Sequence, residues 1–160
     1  MLARARAFVL FQVWVIWQGG FAFYAAVVVP VGTEVLGSPA AQGFVTREVT
    51  GWLNLIGVAY HLALAWTLAA ERGTNHWRAR VLLGTVSALL LIALFAVHPV
   101  LDSFLDPVGK SVREPRAFYR WHIVYLWCST VQWVLALAQA WLTMGFRNGE
   151  GVKPAPAAGS

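Results

Sequence analysis

The chain has 160 residues, of which 59 % are hydrophobic and only 12 % charged, and its mean hydropathy is +0.61. A water-soluble globule of this size needs more polar surface, so the composition excludes that class and points to one compact membrane domain. The net charge of +5 is scattered over termini and loops with no basic stripe on a helix, which argues against a nucleic-acid partner; the lone Cys128 excludes an intramolecular disulfide and a cysteine-based zinc site.

Four stretches contain no Asp, Glu, Lys or Arg: Ala7–Thr33, Val49–Ala70, Val81–Leu101 and Trp121–Phe146. At about 1.5 Å per residue each is long enough, as a helix, to cross a hydrocarbon core of about 30 Å. The expected fold is all-α: an integral membrane four-helix bundle running up-down-up-down, occupying residues 1–147.

The first span is expected over about 8–29. Arg4 and Arg6 before an apolar run resemble the start of a secretory signal, but the run continues past Pro30 with no small-x-small cleavage site, so a retained helix is expected. Pro30, Gly32 and Gly37 should break it. Ser38-Pro39 has the form of an N-cap followed by proline at the first helical position, and predicts an amphipathic lead-in to a second span over about 50–70. Glu71-Arg72-Gly73 ends that span, and the link Thr74–Arg80 makes a hairpin with a third span over about 81–97, which should stop at His98-Pro99. Val100–Arg120 carries mixed charge and reads as a partly helical surface loop. The last span is expected over about 118–144, and residues 148–160, rich in Gly, Pro and Ala, as a disordered tail.

Basic residues set the expected sidedness. With both termini inside, seven fall on the cytoplasmic side (Arg4, Arg6, Arg72, Arg78, Arg80, Arg147, Lys153) and five outside, four of these in the longer third loop. The expected location is a bacterial inner membrane with cytoplasmic N- and C-termini. Of the nine tryptophans, Trp52, Trp77, Trp121 and Trp141 fall near span ends, and Trp14, Trp17, Trp66, Trp127 and Trp133 read as packing residues.

Polar side chains in hydrocarbon are costly unless paired, so their positions carry the functional signal. On the last helix His122, Tyr125, Ser129, Gln132 and Gln139 form one stripe at helical spacing, which must face protein or water. On the second, Asn54 and His61 lie seven residues apart on one side, with Gly57 between them admitting a neighbouring helix. Asn54, His61, His122, Tyr125 and Gln132 are therefore the candidate site, clustered between the second and fourth helices. The bland reading is interhelical bonding; the sharper one makes His61, His98 and His122 ligands for copper or haem, or a proton relay. No HxxxH pair and no carboxylate within the spans accompanies them, so no cofactor is the first expectation, with haem or copper as the alternative.

The segment Trp17-Gln18-Gly19-Gly20-Phe21, followed by Val28-Val29-Pro30, a short loop and Gly43–Asn54, resembles the opening of a family of small four-helix membrane proteins of unknown function that includes the human transmembrane protein associated with cisplatin resistance. The Phe118-Tyr119-Arg120-Trp121-His122 run resembles that family's entry to its last helix, and His98-Pro99-Val100-Leu101 stands at its third-helix exit. The resemblance implies a four-helix membrane fold without implying a reaction. A looser resemblance extends to copper-resistance D-type proteins and the J-type protoporphyrinogen oxidase, although this chain has no histidine in its first helix, where the latter carries a functional one. A small membrane binding, transport-related or accessory subunit is thus expected rather than an enzyme, with the lipid bilayer, further copies of itself or other membrane subunits as partners.

Overall fold

The computed structural model describes residues 1–74, 76–106, 108–109 and 111–149, the side chains of 145–149 excepted. The described chain is all-helical apart from one minimal β-hairpin, and four of its helical stretches are long and apolar enough to span a membrane. The expected tail lies outside the described residues beyond Gly149, the last residue of a helix.

Helix α1 (Leu2–Phe23) widens into a single π turn (Tyr24–Val28) and continues as α2 (Val29–Leu36), so the first helical rod runs past the expected break at Pro30. Proline lacks an N–H and its ring collides with the carbonyl four residues back in a regular helix. The extra residue of the π turn, closed by the Val29 N–H on Tyr24 O, relieves that collision and lets the rod proceed. It ends at Gly37, whose φ of +64° suits glycine.

The Ser38 Oγ then accepts the Ala41 N–H at 3.4 Å, and with Pro39 at the first helical position it starts α3 (Pro39–Ala70), as the sequence predicts. Helix α4 (Trp77–Ser103) begins earlier than Val81 and passes through Pro99 instead of stopping at His98. The turn after the proline is held from outside: Asp102 lies 2.9 Å from Arg47 Nε on α3 and 3.5 Å from His98 Nδ1 one turn back. The expected loop then contains strand β1 (Leu105–Asp106), paired antiparallel with β2 (Ser111–Val112), before α5 (Pro115–Gly149) starts at a proline.

Neighbouring helices run antiparallel. Trp17 meets Tyr60, a Cβ on Gly20 would touch Leu53, and Tyr24 meets Thr46, so the register descends along α3 as it rises along α1. Between α3 and α4 the pairs are Leu64–Gly84, His61–Ser87 and Arg47–Asp102; between α4 and α5, Ser87–Gln132 and His98–Tyr125. Trp14 Nε1 donates to Ala136 O at 3.1 Å and ties α1 to α5. The molecule thus has a hairpin end, with Gly37 and the β-strands, and a link end, with the N-terminus and residues 71–74 and 76. Helix α3 is the most enclosed, with 44 % of its most apolar window buried, and the first rod the least, with 17 %. Trp66 and Trp127, read from the sequence as packing residues, are 45 % and 66 % exposed and lie on the outer surface, whereas Trp17 is buried on Tyr60.

Candidate functional site

The polar stripe of α5 faces the protein. Tyr125, Ser129, Gln132 and Gln139 are all buried, while His122 is half-buried and stacks on Phe118, with ring centroids 5.6 Å apart. The five candidate residues divide between two separate contacts and one outlier rather than forming a single cluster.

The first contact lies toward the hairpin end. Asn54 Nδ2 on α3 donates to the Tyr125 hydroxyl on α5 at 2.9 Å, both side chains being buried. The His98 ring lies edge-on to Tyr125 at 6.3 Å and its Nε2 donates to Arg47 O at 3.2 Å. A neighbouring bond joins the Tyr24 hydroxyl to Thr46, whose own hydroxyl donates to Gln42 O.

The second contact lies at mid-bundle and is organised by α4. His61 Nδ1 lies 2.7 Å from Gly57 O, and a carbonyl only accepts, so Nδ1 carries the proton. In the neutral ring Nε2 then accepts from Ser87 Oγ at 3.0 Å. Gln132 Nε2 donates to the Ser87 carbonyl at 3.1 Å. Gly57 admits α1 as expected, since a Cβ there would stand 3.2 Å from Trp17 Nε1; the Trp17 ring stacks on Tyr60 and meets His61 edge-on.

A hydroxyl bonded to an imidazole whose other nitrogen is held by a third group has the form of an activated nucleophile. Here Ser87 is buried and lines neither of the grooves described below, while His61 lines one of them, and the pair ties α3 to α4. The three histidines considered as metal or haem ligands do not converge: His61 is engaged by Gly57 and Ser87, His98 by Arg47 and Asp102, and His122 packs on Phe118. Among the described residues no group of three His, Cys, Asp or Glu side chains is placed to hold a metal ion.

Sequence reasoning missed the link end. Arg80, read there as a cytoplasmic anchor, is 2 % exposed and ion-paired through Nη1 to Glu71, the capping residue of α3. Among the described residues its Nε and Nη2, the side-on fork of the guanidinium, have no hydrogen-bond partner, nor has either polar atom of the buried Gln139 carboxamide. The antiparallel register that pairs Ser87 with Gln132 puts Arg80 and Gln139 on one level, each seven residues further toward the link. A glutamate nine residues before an arginine across the expected turn was the available signal.

Two grooves open on the sides of the bundle. One, of about 340 Å³, runs between α3 and α4 from Arg72 to His61; the other, of about 450 Å³, lies beside Trp14 and Trp141. Comparison of the chain with protein-family models, with curated proteins and with solved structures found no match in any of the three.

Proposed function

We propose that the chain is a four-pass integral membrane protein, crossing a bacterial inner membrane up-down-up-down with both termini cytoplasmic, and that it works as a non-enzymatic binding or accessory subunit of a membrane complex. The observation that carries this reading is the contrast between inside and outside. Several interior polar groups bond one another across helices, as in Asn54–Tyr125 and His61–Ser87–Gln132, while the outer faces present large apolar side chains. Such polar bonds join helices that have no hydrophobic driving force between them in lipid. The first rod is the least covered, with Phe8, Phe11, Ile16 and Phe23 all exposed on it, and it is the face offered to a second copy or another membrane subunit. The sequence resemblance to the small four-helix family is consistent with this reading.

The test has three readouts. The chain should stay in the membrane through alkaline carbonate, and in a Cys128→Ser background Val108→Cys should be labelled from the outside and Arg6→Cys only after permeabilisation. A photo-crosslinker at Phe11 or Ile16 should capture a stoichiometric partner, either a second copy or one identified membrane subunit, whereas one at Leu89 on α4 should not. A monodisperse chain silent at both positions overturns the subunit reading, and a Soret band or stoichiometric copper in the purified protein overturns the cofactor-free one.

A further inference from the structure

The groove between α3 and α4 has a polarity that runs along its length. At the link end stands Arg72, exposed and without an ion pair among the described residues, its neighbour Glu71 being turned to Arg80. Trp77 forms part of the wall just below, its ring held by donation from Nε1 to Leu68 O at 2.9 Å. Apart from Thr85 the walls are otherwise apolar, and they are made shallow by small residues: Ala65 on α3, and Gly84 on α4, where a Cβ would sit 3.1 Å from Leu64. At the far end is His61, whose hydrogen bonds to Gly57 and Ser87 satisfy the neutral ring and leave no charge there.

The length is informative as well. From His61 to Ala70, and from Trp77 to Ala88, the helices advance about 14–16 Å at ~1.5 Å per residue. That is about half of a ~30 Å hydrocarbon core, the depth of one leaflet. A cation and an indole at the surface, an apolar channel one leaflet deep and an uncharged floor match the layout of a single amphiphile with an anionic head.

We infer that the α3–α4 groove is a binding site for an anionic glycerophospholipid of the cytoplasmic leaflet, with one acyl chain lying along Ala65 and Gly84 and the phosphate drawn to Arg72. The inference rests on the membrane reading proposed above but not on the subunit role. A helix from a second copy is the competing occupant, and it has no use for an unpaired arginine at the mouth.

The experiment is a native mass-spectrometric titration of the full chain in mild detergent with phosphatidylglycerol and phosphatidylcholine of identical acyl chains. The unaltered chain should bind one phosphatidylglycerol about fivefold more tightly than phosphatidylcholine, the ratio expected from one basic side chain at the surface. Arg72→Ala should bring the two lipids to parity. Ala65→Phe, at an exposed position that tolerates size, should weaken both alike by filling the channel. Equal binding of the two lipids by the unaltered chain, or undiminished binding by Ala65→Phe, overturns the site, as does spontaneous cross-linking of two copies through Ala65→Cys in a Cys128→Ser background. Failure of the membrane reading would register separately, as release of the chain by alkaline carbonate.

Discussion

Toward the hairpin end, and down to mid-bundle, several polar side chains find partners on another helix: Asn54 has Tyr125, Tyr24 has Thr46, and His61 has Ser87, while the buried Gln42 carboxamide has no hydrogen-bond partner among the described residues. Toward the link end, among the described residues, the buried Arg80 has a single carboxylate and an open fork, and Gln139 on the same level has no hydrogen-bond partner. The difference follows from where partners can come from. Asn54, Tyr24 and His61 are matched where antiparallel register brings one donor opposite one acceptor, and a neutral amide left without one, such as Gln42 or Gln139, carries no charge to compensate. A full charge needs a countercharge, and Arg80 finds it in Glu71, the residue that caps α3 at the margin of the bundle.

The sharpest way to break this contrast is at Glu71. Glu71→Ala strands the Arg80 charge and should cost about 3 kcal/mol in reversible unfolding from mixed micelles. Removing both partners together, as Glu71→Ala with Arg80→Met, should recover much of that loss, since it is the uncompensated charge that is costly. A double variant as unstable as the single one would show that the pair supports the link in some other way.

The next effect is steric. A Cβ on Gly32 would land on the buried Gln42 carboxamide, the far end of a flexible side chain, so Gly32→Ala must displace it and should cost about 1 kcal/mol in the same assay. Gly19 meets nothing within 4 Å, and Gly19→Ala should be neutral or stabilising by up to about 1 kcal/mol. The opposite order would mean that the α2–α3 contact is looser than drawn.

Smaller still is the neutral pair. Tyr125→Phe removes the acceptor for Asn54, and a double-mutant cycle with Asn54→Leu should give a coupling of about 0.6 kcal/mol, typical of hydrogen bonds between helices in membranes. A coupling near zero would indicate that Asn54 finds a replacement partner. Ser87→Ala belongs to the same class and should change stability by about as much, with the nitrogen chemical shift of His61 Nε2 reporting the lost donor.

The candidate site was legible in part. The α5 stripe and the Asn54–His61 spacing follow from helical periodicity, which places residues on a face before any partner is known. Periodicity does not say which helix that face will meet, so Asn54 and His61, on one side of α3, take partners on different helices. Ser87 was hidden in the plainest helix, where a hydroxyl carries no sign of being a hub. Arg80 was hidden by its place at a span end, where basic residues are ordinarily surface anchors. Trp66 and Trp127 misled in the opposite sense, because a position deep within an apolar segment does not say which way a tryptophan faces.

The prolines give the clearest lesson on boundaries. Pro30 and Pro99 are helix breakers by local chemistry, yet both helices continue, one through a π turn and one through the Arg47–Asp102–His98 contacts.

Taken alone, the sequence determined the four apolar helical rods and the inward face of α5, because absence of charge and helical spacing are properties of a segment by itself. Tertiary structure decided the partner of each buried polar group, the burial of Arg80, the dispersal of the three histidines and the groove ending at His61. These depend on the relative rotation and register of separate helices, which contacts far apart in the chain select and no local stretch encodes.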